Sequence, residues 1–322
     1  MTLPELGRLG FGAAGIGNLY RAMDDAVAAA TLGAAWDAGI RYFDTAPHYG
    51  LGLSERRVGS FLATKPRNEF VISTKVGRIL EAVDNPSGAR DTQGFDVPAD
   101  TERRWDPSEA GIRRSIEDSL ERLGLDRIDI AYLHDPDFYD LQAGIAQALP
   151  ALEKLRGEGL VRAIGVGANS SDALRDCVRA ADLDLIMLAG RYTLLEQPAA
   201  ADLLPLCAER GVGVVNVGVY NSGLLARPAV PSSAMYNYAP APAGILARAR
   251  ALAACCADFG VELPAAALQF AAGHPAVRSV VVGASGAGQI TQTAQRMAAD
   301  IPAGLWGAMV DRGLLAAELV RA

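Results

Sequence analysis

The sequence predicts a closed parallel (β/α)8 barrel (TIM barrel; fold class α/β), and two features of the chain support this fold. Eight short, almost entirely apolar runs alternate with segments of helical periodicity along the 322 residues, which is typical of parallel strands buried on both faces. No GxGxxG motif begins after the first run, residues 8–12, and opens a helix with an acidic residue some twenty positions on, so the main alternative, an open doubly wound sheet, loses its usual phosphate-binding signature. We therefore expect the eight strands to close into one barrel.

Each predicted strand is a short apolar run that is separated from the next by a helical segment or a loop. The second, third and fourth runs end in an acidic, a basic and an imidazole side chain. The predicted strands cover residues 8–12, 41–44, 70–75, 128–134, 162–166, 185–188, 213–217 and 279–282.

Four of the intervening stretches have clear helical periodicity, and all four end in glycine, as helix C termini often do. They are AVAAATLGAAWDAG, PSEAGIRRSIEDSLERLG, IAQALPALEKLRGEG and AADLLPLCAERG. Since α/β barrels commonly reach this length as one unit, we expect residues 1–322 to form a single domain.

Two long insertions interrupt this alternation, at residues 78–106 and 219–243. Both follow a strand and therefore lie on the side where barrel enzymes keep their active sites. They are too long for ordinary connections. The first insertion is predicted to be a substrate lid, a mobile loop or an unstructured decoration. The second insertion contains Tyr236 and Tyr238, whose side chains could line a pocket.

Composition disfavours several classes of partner. The net charge of -7 and the lack of a basic stripe along any predicted helix argue against nucleic acid. No apolar stretch reaches the roughly 18 residues of a membrane span, so no membrane partner is expected. The first residues, MTLPELGRLGFGAAG, lack the pattern of a secretory signal, and we expect a cytoplasmic protein. The sequence leaves the oligomeric state open.

A metal site is not expected either. The four cysteines show no CxxC spacing and the chain has three histidines, which is a poor donor set for zinc. Reduced thiols in the core or on helix faces are the expected state of Cys177, Cys207, Cys255 and Cys256.

Four side chains are the candidate catalytic residues: Asp44, Tyr49, Lys75 and His134. Each lies at or just after the end of a predicted strand, and the carboxyl ends of parallel strands meet at one mouth of a barrel. An ammonium beside a phenol favours the phenolate, so we expect Lys75 to lower the pKa of Tyr49 towards neutrality. Asp44 would pair with the ammonium, and His134 would donate a hydrogen bond to a reacting oxygen. This set suits proton transfer at a carbonyl or hemiacetal.

Other interpretations of the same residues stay open. Asp44 could cap a turn, Tyr49 could be a packed aromatic, and His134 could be a hydrogen-bonded residue at a strand end. A barrel lysine can also form a Schiff base, as in class I aldolases. That reaction has no need for Tyr49, which disfavours it.

The motifs FDTAPHYG, STKVG, RSIEDSLERLGLDRIDIAYLHDPD and IGVGAN resemble those of the aldo-keto reductases over almost the whole chain. The resemblance implies a nicotinamide-dependent oxidoreductase whose catalytic tetrad is Asp44, Tyr49, Lys75 and His134, with Tyr49 as acid and base. A regulatory barrel without catalysis is disfavoured because all four residues are present.

The segments LGFGAAGIGNLY, HDPD, AGRYTLLEQ and NSGLL are similar to one branch of that family, whose members oxidise a cyclic hemiacetal to a lactone. The implied substrate is a small molecule, an aldose lactol of the L-fucose or L-galactose type. The hemiacetal of pyridoxal is the alternative, followed by general reduction of aldehydes and ketones. Substrate contacts are expected from Tyr20, His48 and Tyr220.

The resemblance also implies a cofactor site. Asn169 corresponds to a contact of the nicotinamide carboxamide, although it also suits a helix N-cap. Backbone N–H groups of Gly283, Ala284, Ser285 and the following residues up to Gln289 are expected at the cofactor phosphates, at the start of a helix.

NAD is expected in preference to NADP. A 2′-phosphate is normally met by Arg or Lys, and the segment after the last strand offers only Arg296, two helical turns beyond Gln289 and near Asp300. Arg278 precedes that strand and should lie at the far end of the barrel. Arg227, in the second insertion, is the alternative that would reverse the choice.

Overall fold

The architecture is a closed barrel of eight parallel strands, as a computed structural model of residues 4–84, 88–237 and 239–320 shows. Including the strands outside the barrel, the described residues form β1 (Leu9–Gly12), β2 (Tyr42–Asp44), β3 (Val71–Val76), β4 (Arg78–Ala82), β5 (Thr101–Trp105), β6 (Ile128–His134), β7 (Val161–Ala168), β8 (Leu185–Ala189), β9 (Gly213–Val217), β10 (Met235–Tyr236), β11 (Ala239–Pro240) and β12 (Val277–Gly283). The barrel runs in the order β1, β12, β9, β8, β7, β6, β3 and β2, which pairs again with β1. The predicted fold class and all eight predicted strands are confirmed.

Helices surround the barrel, and each of the four predicted helical stretches overlaps one of them. They are α1 (Asp25–Asp37), α2 (Leu53–Leu62), α3 (Glu109–Leu123), α4 (Pro136–Tyr139), α5 (Leu141–Ala143), α6 (Leu149–Gly157), α7 (Ser171–Ala180), α8 (Leu203–Arg210), α9 (Ala243–Asp258), α10 (Leu263–Ala271), α11 (Ala287–Ala298) and α12 (Gly304–Asp311). Helix α3 shows why the sequence folds this way. The Ser108 hydroxyl caps its start, and Gly124 ends it in the left-handed conformation with φ 62°.

The barrel interior is filled by side chains, among them two tyrosines, Tyr42 and Tyr132. Both are fully buried. Glycines make room for them, because a Cβ on Gly10 would lie 2.7 Å from the Tyr42 ring and one on Gly165 would lie 2.8 Å from the Tyr132 ring. Leu6, which precedes β1, belongs to the same interior cluster. The barrel interior is therefore filled with side chains, and a catalytic site is expected at the carboxyl ends of the strands.

The two insertions form small antiparallel sheets. In the first, β4 pairs with β5, and Phe95 and Val97 between them pack against Leu51 in a buried cluster. Of the alternatives for this insertion, an unstructured decoration is therefore wrong for its described residues. In the second, β10 pairs with β11. Tyr238, one of its two expected wall residues, lies outside the described residues.

Three further observations concern the expectations from composition. All four cysteines are buried free thiols, as predicted. Nowhere in the described segments do three or more His, Cys, Asp or Glu side chains come together in a way that could hold a metal ion. Among the described residues, no single helix is long and apolar enough to cross a membrane, and α9 and α10 meet those criteria only when taken together across a 102° bend.

Candidate active site

A buried ion pair lies at the carboxyl ends of β2 and β3. Lys75 Nζ donates to Asp44 Oδ2 at 2.7 Å and to the Thr45 carbonyl at 2.9 Å. Burial lowers the pKa of Lys75, but the Asp44 carboxylate and the neighbouring Tyr49 phenol reverse this, so that the pKa is raised. Lys75 is therefore an ammonium at neutral pH. Burial raises the pKa of Asp44, and the paired ammonium opposes that shift.

Tyr49 lies beside this pair, in the tight turn that joins β2 to α2. The Lys75 ammonium lies beside the phenol, with its Nζ 4.7 Å from the ring centroid. The turn needs glycine next to Tyr49, because Gly50 has φ +63° and a Cβ there would lie 2.2 Å from the Gly17 carbonyl oxygen. The chain thus holds the phenol in one place above the ion pair.

One electrostatic expectation for Tyr49 is wrong. Burial raises the pKa of the phenol, and although the Lys75 ammonium lowers it, the balance stays above the ordinary value. The predicted sign of the lysine's contribution is confirmed, but the predicted net depression is not. The phenol of the protein alone therefore stays protonated at neutral pH.

His134 ends β6 and faces the same phenol. Its ring packs edge-on against Tyr49, with centroids 5.9 Å apart at 88°. Burial and the cations Arg78 and Lys75 hold the pKa of His134 well below its usual value, so the imidazole is neutral. Its Nε2 lies 3.5 Å from Asp135 Oδ2, and its buried Nδ1 has no hydrogen-bond partner.

His48, an expected substrate contact, lies in the same cluster. Its ring centroid is 5.5 Å from that of His134 and 6.0 Å from that of Tyr49. Burial and the nearby cations Arg78 and Arg103 lower the pKa of His48 to about 2. Its buried Nδ1 also lacks a hydrogen-bond partner. Two neutral imidazoles with unpaired nitrogens therefore lie next to the phenol. Because buried polar atoms are normally hydrogen-bonded, these nitrogens are suited to bind a polar ligand.

The other two expected substrate residues lie farther out. Tyr20 is 72% exposed, and its backbone N–H donates to the Gly94 carbonyl at 2.8 Å, which places it at the rim beside the first insertion. Tyr220 packs with Leu268 and Met297 on the α10 and α11 side of the barrel. The structure thus brings His48 to the tetrad, whereas Tyr220 packs on the α10 and α11 side of the barrel.

The first insertion supplies a wall that the sequence interpretation missed. The Phe95 ring packs on His48 at 5.2 Å and 86°, and on Tyr49 at 6.0 Å. Arg103 pairs with Asp91 and donates to the His48 carbonyl at 2.9 Å. The available signal was that this polar insertion contains only two aromatic residues, Phe95 and Trp105.

The expected nicotinamide contact, Asn169, lies just past the end of β7 and is exposed at the mouth. Its carbonyl accepts a hydrogen bond from Arg191 Nε at 2.7 Å. The alternative role as a helix cap is wrong, because the hydroxyl of Ser170 caps α7 by accepting from the Ala173 N–H. The amide of Asn169 is therefore available to a ligand.

The segment after β12 forms the expected helix start. Gly283 ends the strand, Ala284 is buried, and α11 begins just after Gly286. A Cβ built on Gly286 or Gly288 would meet no atom within 4 Å. The space beside Gly286 and Gly288 at this helix start is open, which fits a phosphate held by backbone N–H groups. One donor is occupied, since the Gln289 side chain accepts from the Ser285 N–H at 2.8 Å.

The second insertion is tied to the mouth through Glu196. Tyr236 Oη donates to Glu196 Oε2 at 2.7 Å, and Asn221 Nδ2 donates to Glu196 Oε1 at 3.1 Å. The Arg191 guanidinium lies 3.5 Å from the same carboxylate. Tyr236 is thus fixed at the rim on the side of Asn169.

A protein-family model described as the Aldo/keto reductase family matches residues 8–309. The chain belongs to this family. The aldo/keto reductase is 56% identical over 309 residues to a D-threo-aldose 1-dehydrogenase of a Pseudomonas species, covering 95% of this chain and 94% of that protein. It is 38% identical to a pyridoxal 4-dehydrogenase of Microbacterium luteolum, covering 95% and 94%, and 31% identical to an L-galactose dehydrogenase of Arabidopsis thaliana, covering 89% and 83%.

Solved structures agree with this membership. The holo form of an aldo-keto reductase from Bacillus halodurans superposes with a TM-score of 0.75 at 28% identity, covering 98% of this chain and 92% of that chain. A glycerol dehydrogenase from Gluconobacter oxydans gives a TM-score of 0.76 at 25% identity, covering 100% and 96%. The aldo/keto reductase is therefore an oxidoreductase that uses a nicotinamide cofactor, and the resemblance found in the sequence is confirmed.

Proposed function

We propose that this aldo/keto reductase is an NAD-dependent aldose 1-dehydrogenase, which oxidises the hemiacetal carbon of a sugar lactol such as L-fucose to a lactone. The observation that carries the proposal is the arrangement around Tyr49: a phenol beside a buried ammonium, with two neutral imidazoles that have unpaired nitrogens on its other sides. The D-threo-aldose 1-dehydrogenase that is 56% identical over 95% of this chain supports the substrate class.

Oxidation of a lactol removes a hydride from the anomeric carbon and a proton from its hydroxyl. The bound nicotinamide supplies the hydride acceptor. Tyr49 takes the hydroxyl proton, for which it must first be a phenolate, and the electron pair of the O–H bond forms the lactone carbonyl. Lys75 stabilises that phenolate through its ammonium, and Asp44 keeps the ammonium charged in its buried position.

We propose that His134 orients the reacting oxygen. A neutral imidazole can donate one hydrogen bond to an oxygen without adding a positive charge to the site. His48 contributes its unpaired nitrogen to a further sugar hydroxyl, because a buried polar atom is stabilised only when it is paired. Phe95 offers an apolar wall to the C–H face of the sugar ring.

The Phe95 ring also favours a second candidate substrate, pyridoxal. The flat Phe95 ring could pack against a pyridine ring, and a pyridoxal 4-dehydrogenase is 38% identical to this chain. Oxidation of the pyridoxal hemiacetal to its lactone uses the same proton acceptor. Reduction of simple aldehydes and ketones would run the proton transfer of Tyr49 in reverse.

For the cofactor, we propose that Asn169 contacts the nicotinamide amide. The phosphates would meet the backbone from Gly283 through Ala284 and Ser285 to the start of α11, with Gln289 turning away from the Ser285 N–H. NAD is preferred because the first basic side chain after β12, Arg296, is paired with Glu262 at 2.8 Å. A guanidinium engaged in this way is not free to meet a 2′-phosphate.

The test is a spectrophotometric screen for reduced cofactor with NAD against L-fucose, D-arabinose, L-galactose and pyridoxal. We expect a sugar to give the highest kcat/KM, and the folded Tyr49→Phe protein serves as the blank. Preference for pyridoxal would replace the proposed substrate by the second candidate. Turnover only in the direction of aldehyde reduction would reject lactol oxidation altogether.

A further inference from the structure

A line of hydroxyl groups runs through the barrel interior and ends on Asp44. Tyr132 Oη lies 3.3 Å from Tyr42 Oη, which lies 3.0 Å from Ser73 Oγ, and Ser73 Oγ donates to Asp44 Oδ1 at 2.7 Å. The first three residues have no exposed surface and Asp44 is 3% exposed. We call Tyr132, Tyr42 and Ser73 the hydroxyl chain.

The direction of each hydrogen bond follows from the carboxylate. An ionised Asp44 has acceptors only, so the Ser73 hydroxyl must donate to it. The Ser73 oxygen then accepts from Tyr42, and the Tyr42 oxygen accepts from Tyr132. Three O–H dipoles therefore point their positive ends towards Asp44, and hydrogen bonds arranged in this way polarise and strengthen one another.

Strand register creates the chain. Asp44 pairs with Ser73 across β2 and β3, and Tyr42 and Lys75 lie two residues away on the same faces of these strands. Tyr132 lies opposite Lys75 on β6. The ion pair and the hydroxyl chain thus share one face of three neighbouring strands, turned towards the barrel interior.

The surroundings argue against a purely packing role. The two tyrosines lie in an interior cluster with aliphatic side chains such as Leu185, Met187 and Val281. Phenylalanine would fill nearly the same space without burying a hydroxyl, which costs free energy unless it is hydrogen-bonded. The hydrogen bonds of these hydroxyls end on one charged group, the Asp44 carboxylate.

We propose that Ser73, Tyr42 and Tyr132 are positioning residues that set how strongly Lys75 stabilises the Tyr49 phenolate, by dispersing the negative charge of Asp44. This rests on the proposed role of Tyr49 as proton acceptor. Without the hydroxyl chain, the Asp44 charge is concentrated on the carboxylate and draws the ammonium to itself. Less of the ammonium's positive field then reaches the phenolate, and Tyr49 ionises at higher pH.

The two imidazoles beside Tyr49 keep one charge state at neutral and alkaline pH, so their titration does not overlap with the measured limb. The groups that face Tyr49 or its neighbours are Asp44 on β2, Lys75 on β3, Arg78 on β4, Arg103 on β5, His134 and Asp135 at the end of β6, and His48 on its own loop. Both imidazoles are neutral because their pKa values are lowered. Arg78 is paired with Asp135, and Arg103 with Asp91.

The test compares Ser73→Ala, Tyr42→Phe and Tyr132→Phe with the wild-type enzyme. In NAD-linked lactol oxidation, the ascending limb of kcat against pH should move to higher pH, by on the order of half a pH unit for Ser73→Ala. The shift should decrease in the order Ser73→Ala, Tyr42→Phe, Tyr132→Phe, because each hydroxyl lies one hydrogen bond farther from Asp44. Ser73→Thr, which keeps the hydroxyl, should restore the wild-type limb.

The matched control is Ser279→Ala. Ser279 is also a buried serine on a barrel strand, but its hydroxyl has no hydrogen-bond partner, so its loss should leave the limb in place. A second readout is the alkaline absorbance of the Tyr49 phenolate, taken as the difference between each protein and its Tyr49→Phe counterpart. This readout does not depend on turnover.

The outcomes are distinguishable. If Ser73→Ala moves neither the limb nor the phenolate titration relative to Ser279→Ala, or moves them to lower pH, the proposal is overturned. If Ser73→Ala does not fold, the tyrosine variants decide by the same criteria. If the wild-type enzyme oxidises no lactol, the proposed function fails, and the phenolate titration still judges the hydroxyl chain.

Discussion

Replacing Lys75 by methionine tests the interaction between the Lys75 ammonium and the Tyr49 phenolate. The ammonium lies 4.7 Å from the centre of the Tyr49 ring, where one unit charge is worth about 3.5 kcal/mol at an effective dielectric constant of about 20. Loss of the ammonium should therefore move the pKa of Tyr49 upward. Water screens part of this interaction because Tyr49 is partly exposed, so the figure is an upper value.

The assay is kcat against pH for lactol oxidation with NAD. Because the phenolate accepts the proton, the rate rises as pH increases through the pKa of Tyr49, and Lys75→Met should move this limb upward. Lys154→Met, which removes an exposed lysine paired with Glu109, should leave it unchanged. A folded Lys75→Met enzyme with the wild-type limb would refute the reasoning.

The same substitution leaves Asp44 buried without its partner. Breaking a buried ion pair in this way costs about 3–5 kcal/mol of stability, unless Asp44 takes up a proton. Lys75→Met/Asp44→Asn removes both charges and should recover part of the lost melting temperature, but not the position of the limb. Recovery of the limb as well would mean that Asp44 alone determines the ionisation of Tyr49.

Three other outcomes are expected. Tyr49→Phe should keep the fold and cofactor binding, measured by fluorescence titration, while turnover falls by about two to four orders of magnitude; undiminished turnover would remove Tyr49 from the mechanism. The specificity constant should favour NAD over NADP on one good substrate, and a ratio favouring NADP would direct attention to Arg227 in the second insertion. Phe95→Ala should raise KM for the sugar about tenfold, a loss of about 1.4 kcal/mol, whereas Phe138→Ala, at a residue 73% exposed, should not; equal effects would deny Phe95 a place in the pocket.

Parallel topology explains why the tetrad positions were predictable. Once strands are known to run parallel into a barrel, the residues at their carboxyl ends must share one mouth, so Asp44, Lys75 and His134 meet whatever their separation in the chain. The position of Tyr49 was predictable too, because the turn after β2 is short and keeps this residue near the same mouth. The same reasoning placed Asn169 at the end of β7. The assigned cofactor contacts and the single domain of residues 1–322 stay predictions.

What the sequence did not reveal depends on side-chain packing across elements. Phe95 reaches His48 only because β4 and β5 pair and carry the intervening loop over the mouth. The net pKa of Tyr49 depends on how deeply the phenol is buried, which no spacing of residues encodes. The hydroxyl chain requires the register of β2 against β3, where a slip of one residue would turn Ser73 away from Asp44.

The charge arrangement explains how this mouth can hold two neutral histidines beside the Tyr49 phenol. Three ion pairs with limited exposure surround the site, namely Lys75–Asp44, Arg78–Asp135 and Arg103–Asp91. Burial and the cations of these pairs hold both imidazoles neutral, with the pKa of His48 lowered to about 2. In the proposed reaction, neither histidine then competes with Tyr49 for the substrate proton above acidic pH. We expect each to orient a substrate oxygen by a single hydrogen bond, and the pH dependence of oxidation to be set by the phenol and the ammonium beside it.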